Sequence, residues 1–122
     1  MATDVTVKKT SRLYIQDRRS KQKFLIDTGS EVSVIPTSSH RHIQSELTLY
    51  AVNNSPIKTH GQKVLQVDLN LRKLFRWPFI VADVPQAIIG ADFLKHYHLS
   101  PHLAQHRLVD LTTHRHANCV QT

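Results

Sequence analysis

Large apolar residues alternate with polar ones through much of the chain, the period of strands with one buried face. Leu13 and Ile15, then Phe24 and Ile26, form two such runs separated by Gln16-Asp17-Arg18-Arg19-Ser20-Lys21, which predicts a hairpin with a polar loop. Val32, Val34 and Ile35 predict a short buried strand stopped by Pro36. Residues 37–45 are polar and turn-rich. The next alternating run, Leu47, Leu49 and Ala51, halts at Asn53-Asn54-Ser55-Pro56, a strong turn signal. Leu65, Val67, Leu69 and Leu71 then alternate with polar residues, so the span from about residue 46 to 71 reads as one long hairpin with an exposed tip and a buried base. A strand over 75–84 follows the basic turn Arg72-Lys73, and Ala87-Ile88-Ile89-Gly90 is a short apolar run closed by glycine. Only 92–98 predicts a helix, with Phe93 and Tyr97 four apart and Asp92 placed to cap the first turn. A last strand is expected over 107–111. The fold class is all-β with one short helix near the end.

At 122 residues the chain suits one compact domain. The patterning divides it into a polar N-terminal arm over 1–10, a domain over 11–113 and a polar tail over 114–122. Sixteen Lys and Arg oppose nine Asp and Glu, which favours acidic partners, but the cations are dispersed in pairs at most. They read as solvated loops and edges, with nucleic acid at most an incidental partner, since no strand face interleaves cations with stacking aromatics. The single Cys119 cannot form an intrachain disulfide, and no apolar stretch approaches the roughly 18 to 20 residues of a membrane span. An intracellular, cytoplasmic protein with no membrane partner is expected. Of the histidine pairs, only His102 and His106 have the spacing of one helical face, and no third ligand stands near them, so no metal site is expected.

One tripeptide carries candidate chemistry. Lys23-Phe24-Leu25-Ile26 delivers Asp27 into the bend Thr28-Gly29, where glycine permits a turn that other residues resist. A carboxylate at the floor of a core is costly unless it is paired, protonated or hydrogen-bonded, and no nearby residue in the sequence offers a cation for it.

Three blocks give this tripeptide its context: 24–36 (FLIDTGSEVSVIP), 51–61 (AVNNSPIKTHG) and 88–94 (IIGADFL). In order and spacing they resemble the retropepsin family of aspartic proteases, most closely the protease domains of gypsy-class LTR retrotransposon polyproteins, over roughly residues 12 to 111. The resemblance implies a partly closed β-barrel with a flap hairpin and a short C-terminal helix, active as a two-fold homodimer with interleaved terminal strands. It implies an aspartic endopeptidase that cuts a retroelement polyprotein, needs no cofactor, and works in the cytoplasm, including inside virus-like particles. Each subunit gives one Asp27; two like charges about 3 Å apart cannot both ionise easily, so the pair shares a proton and activates a water. Thr28 bonds across the dimer axis, and Gly29 presents its carbonyl to the substrate. Ser30 is expected to donate to the Asp27 carboxylate, with an acidic pH optimum as the consequence.

By the same resemblance Val52, Asn53, Asn54 and Ser55 form the flap tip over the substrate, although family flaps carry glycines there and this one has none. Leu25, Ile88 and Ile89 form apolar pocket walls. Glu31 stands where relatives bind substrate backbone and pair with an arginine, but Ala91 occupies the arginine's position. Asp92 reads as a helix cap and backbone anchor. Two alternatives stand beside the protease: a catalytically silent retropepsin-fold module for dimerisation or peptide binding, and a basic nucleic-acid-binding domain.

Overall fold

Residues 12–37 and 48–121 are described by a computed structural model. The expected arm over 1–10, Leu47, and all of the turn-rich stretch 37–45 except Thr37 lie outside the described residues. Within them the chain is mostly strand with one short helix. β1 (Leu13–Gln16) and β2 (Lys23–Ile26) form the first hairpin, with Tyr14 opposite Leu25 and Ile15 opposite Phe24. β3 (Val34–Pro36) is wholly buried. β4 (Thr48–Tyr50) and β5 (Pro56–Asp68) make the long hairpin, and β5 returns against β6 (Leu74–Ala82). β7 (Ala87–Ile89) leads directly into α1 (Ala91–His96), followed by β8 (Leu99–His102), β9 (Arg107–Asp110), β10 (His116–Asn118) and β11 (Val120–Gln121).

The main sheet has the order β11-β1-β2-β7-β3-β6-β5-β4, and β10-β9-β8 form a second, smaller sheet. β2 runs parallel to β7 and β3 parallel to β6, while β3 and β7 meet antiparallel at Val34 and Ile88. Consecutive strands β2 and β3 are therefore not neighbours; β7 is inserted between them. At the base of the hairpin the β5–β6 register shifts between Thr59 and Gln62, where Gly61 takes a φ of 86°. A bulge of this kind bends and twists the strand, and glycine meets its backbone requirement without steric cost.

The core is built mainly from the inward faces of the main sheet and from α1. Phe24, Phe75, Phe79 and Phe93 are fully buried, and Phe93 brings the helix onto β6 with ring centroids 5.8 Å from Phe75 and 6.0 Å from Phe79. A smaller cluster of Val34, Ile80 and Ala82, with Leu49, Ile57 and Ile88 packed against it, joins the hairpin base to the middle of the sheet.

Three details differ from the sequence expectation. Gly90, not Asp92, is the N-cap of the helix, and no side chain caps it. β8 was not foreseen, because Ser100 and Pro101 interrupt its pattern, and a proline in a strand is tolerated at an edge such as this one. The segment read as a polar tail carries β10 and β11, held by pairing to β9 and β1 with only Ala117 buried. β11 thus lies against β1 of its own chain, Leu13 opposite Gln121.

The smaller sheet is anchored by a buried carboxylate paired with an exposed lysine. Asp110 is fully buried; its Oδ1 accepts bonds from Thr112 N and Oγ1 at 2.9 and 2.5 Å, and Lys73 Nζ lies 3.3 Å from Oδ2 without the alignment of a hydrogen bond. Burial pushes the carboxyl pKa up, but the Thr112 bonds and the Lys73 charge outweigh it and bring it down to about 2. A carboxylate with a depressed folded-state pKa contributes stability that is complete above its unfolded value and is lost as pH falls through the folded one. From 3.8 to about 2, that amounts to roughly 2 kcal/mol. Asp110→Asn is expected to lower stability at neutral pH by about that amount and to flatten the acid limb of a Tm-against-pH curve between 4 and 2.

Candidate active site

Because β7 separates β2 from β3, the chain leaving β2 must cross the C-terminal end of β7 before it can enter β3. Residues 27–33 make that crossing. Asp27 N donates to Ile89 O at 3.0 Å, Ala91 N to Ser30 O at 2.7 Å, and Gly90 N to Ser33 Oγ at 2.8 Å. The contact is so close that a Cβ on Gly90 would sit 2.4 Å from Val32 O and 2.7 Å from Ser30 O. Gly90 has extended backbone angles that any residue adopts, so glycine is required there for space alone. Ser33, which is buried, also donates from Oγ to Asp92 Oδ1 at 2.7 Å and from N to Oδ2 at 3.2 Å. Asp92 therefore ties the crossing turn to the first turn of α1.

On this platform Asp27 is half-buried, and its Oδ1 accepts the Gly29 N–H at 3.0 Å. That is its one side-chain hydrogen bond among the described residues. The other described aspartates are consumed by the fold. Asp17 accepts four bonds, from Arg19 N, Ser20 N, Ser20 Oγ and Asp68 N. Asp68 takes Asn70 N and Arg18, Asp83 takes Thr37 and His60, Asp92 takes Ser33, and Asp110 takes Thr112 and Lys73. Asp27 is the described aspartate whose side chain ties to no other segment, its single donor being the Gly29 N–H two residues on.

The neighbours of Asp27 follow the sequence reading in part. Thr28 and Glu31 are exposed beside it. Ser30 does not contact the carboxylate: its hydroxyl donates to Val32 O at 2.7 Å, closing the turn, so the expected support for an ionised Asp27, and the acidic optimum argued from it, has no basis in this serine. Gly29 is not in the left-handed region, in contrast to the expected glycine bend; a Cβ there would lie 3.3 Å from Asp27 Oδ1. The glycine is favoured by close approach to the carboxylate.

Leu25 and Ile88 are register partners across the parallel β2–β7 pair, both partly exposed and on one face. Ile89 is not with them. Successive strand residues face opposite sides, and Ile89 is fully buried in the main core, which removes it as a pocket wall. At the hairpin tip Val52, Asn53, Asn54 and Ser55 are exposed. The tip is closed by Ala51 N to Ser55 O, Asn54 N to Ala51 O and Ser55 N to Asn53 Oδ1, at 2.9, 2.8 and 3.0 Å. Asn54 takes φ 69°, the left-handed conformation that asparagine tolerates better than most residues.

Sequence reasoning missed Ser33, the steric role of Gly90, and the pair His60–Asp83 at the hairpin base, 2.9 Å apart. The available signal was a lone hydroxyl inside Val32-Ser33-Val34, since a buried polar group needs a partner. Beside Thr28 a hollow of about 420 Å³ opens, lined mainly by Ala91, Leu94, Leu99, Pro101 and Leu111. Among the described residues no three His, Cys, Asp or Glu side chains converge as metal ligands.

A strand-borne Asp-Thr-Gly turn crossing a central strand, a long hairpin and a helix behind the turn together define a retropepsin-like fold. Solved structures agree. The retroviral protease-like domain of Ddi1 from Leishmania major superposes with TM-score 0.67 and 17% identity, covering 92% of this chain and 96% of that one. EIAV protease in complex with the inhibitor HBY-793 superposes with TM-score 0.57 and 20% identity, over 77% of this chain and 93% of that one. No family model matches the chain, and no curated protein does.

Gly90→Ala is expected to force the crossing turn away from β7 and α1, since the atoms it meets are backbone, with a loss of about 3 kcal/mol or more in chemical denaturation. Ser33→Ala, which strands the buried Gly90 N–H and removes one of the donors to Asp92 Oδ1, should cost roughly 1–3 kcal/mol in the same measurement.

Proposed function

We propose that the chain is an aspartic endopeptidase in which two copies each contribute Asp27 to one catalytic pair. The observation that carries this reading is the Asp27 carboxylate, which ties to no other segment and is held rigidly by backbone on a retropepsin-like platform while the other described aspartates serve the fold. One such carboxylate per chain is half of the required pair, and the mostly apolar hollow beside Thr28 supports docking of a second copy there. In the pair, mutual repulsion keeps one proton on the two carboxyls. The ionised member takes a proton from the bridging water as it attacks the scissile carbonyl, and the protonated member donates to the carbonyl oxygen, giving a gem-diol with no covalent enzyme intermediate. The apparent pKa values belong to the pair.

The hairpin tip 52–55 closes over the peptide, and Leu25 and Ile88 form apolar walls for its side chains. Glu31, exposed next to the turn, reaches substrate backbone. The three sequence blocks point to a retroelement polyprotein as the substrate.

Cleavage of a peptide library by the wild-type chain and Asp27→Asn, at several concentrations and with a statine-type mimic, tests the proposal. Activity should rise faster than linearly with enzyme, be blocked by the mimic, and fall by at least about 10³-fold in Asp27→Asn with an unchanged Tm. Absence of cleavage by a chain that still dimerises would instead establish a silent peptide-binding or dimerisation module.

A further inference from the structure

Away from Asp27, at the opposite end of β2, a groove of about 840 Å³ separates the β1–β2 loop from β5. One wall carries Arg19, Lys21 and Lys23, and the other is Val64, Leu65 and Gln66. The strand wall is an open edge. Among the described residues β4 pairs with β5 at residues 56–58, and the main chain of the β1–β2 loop is tied to β5 at Asp68, through Arg18 N to Asp68 O at 3.0 Å and Asp68 N to Asp17 Oδ1 at 2.8 Å. Among the described residues, 62–66 of β5 are paired to β6 on one side and to no strand on the other. Five residues of open edge span about 16 Å.

The loop wall is rigid and cationic. Asp17 is saturated by its four donors and holds the turn, while Gln16 Nε2 bonds Lys21 O and Gln86 Nε2 bonds Lys23 O, at 2.9 and 2.8 Å. The ion pairs among the described residues are Arg18–Asp68, His60–Asp83 and Lys73–Asp110, so no described carboxylate forms a salt bridge with Arg19, Lys21 or Lys23, although Arg19 is near enough to Asp68 to act on it electrostatically. Arg19 Nη1 is turned across the groove toward Gln66 Oε1, 3.4 Å away. Charged side chains at an open edge decide which strand is admitted. Here Arg19, Lys21 and Lys23 outnumber Asp17, whose carboxylate is taken up by four donors of the fold, on a chain of net charge +7, which repels a second copy and selects an acidic strand.

We propose that this groove is a docking site for an extended acidic segment of a partner protein, added as a strand on residues 62–66 of β5, with its carboxylates reaching Arg19, Lys21 and Lys23. Strand addition supplies main-chain hydrogen bonds, and the flanking charges supply selectivity. The site is separate from Asp27, so it stands or falls apart from the protease reading.

The test uses the full chain bearing Asp27→Asn, which keeps any peptide intact. Fluorescence anisotropy would compare a labelled peptide of alternating Glu and Val with its N-methylated form, a Lys–Val counterpart and an oligothymidylate. The acidic peptide should bind about tenfold more tightly than the N-methylated and Lys–Val peptides, and Lys21→Glu with Lys23→Glu should weaken it about tenfold. Amides within 62–66 should gain protection in hydrogen exchange. Equal binding of the N-methylated form, binding no tighter than the oligonucleotide, or no binding at all would each overturn the proposal.

Discussion

The passage of residues 27–33 across the end of β7 is the contact on which the site and much of the fold depend. Parallel pairing of β2 with β7 and of β3 with β6 places β7 between two strands that are consecutive in the chain. The linking turn must then lie directly on Gly90, at a separation that excludes a single methyl group. Ile89, Gly90 and Ala91 all exchange backbone-directed bonds with that turn. The backbone of Asp27 is therefore positioned by the main chain of β7 and α1, and its side chain is left free of structural duty.

That division of labour extends to the charges. Asp17, Asp68, Asp83 and Asp110 are each drawn to lower pKa against the opposing effect of burial, Asp17 by hydrogen bonds alone and the other three by hydrogen bonds with nearby cations, and each joins segments distant in sequence or closes a tight turn. Asp83 links Thr37 after β3 to His60 at the hairpin base, and Asp110 links the β5–β6 turn to the smaller sheet through Lys73. A carboxylate that accepts several donors is stabilised in its ionised form and is a poor proton carrier near neutrality. Asp27 stands apart, with a single donor from the Gly29 backbone.

Period-two alternation made the first hairpin, the long hairpin with its Asn-rich turn, β6 and the apolar run of β7 legible in the sequence. It failed where strands are too short to show a period. β10 and β11 hold three and two residues and bury only Ala117, so their existence depends on partners β9 and β1 that local pattern does not reveal. In β7 the run Ala87-Ile88-Ile89 has no polar residue to mark a face, which is why Ile89 read as a wall although the register with β2 turns it into the core. Asp27 was legible from its tripeptide and flanking strands. Asp92 was legible as a backbone anchor, but its partner Ser33 was not, because 59 positions separate the two in sequence and their bond arises only from the crossing.

The same crossing bears on why the chain holds just three glycines. Gly29 and Gly90 are kept for close approach beside Asp27 and beneath the turn, and Gly61 for the bulge at the hairpin base. The remaining left-handed positions fall to Lys21, Asn54, Asn70, Arg72, His98, His106 and His114, each of which pays a conformational cost that glycine would avoid. At the hairpin tip that substitution has a consequence. An asparagine held at φ 69° and a bond donated by Ser55 N to Asn53 Oδ1 leave fewer accessible backbone states than a glycine-rich tip, while at the base of the hairpin the Gly61 bulge and the His60–Asp83–Thr37 contacts lie side by side.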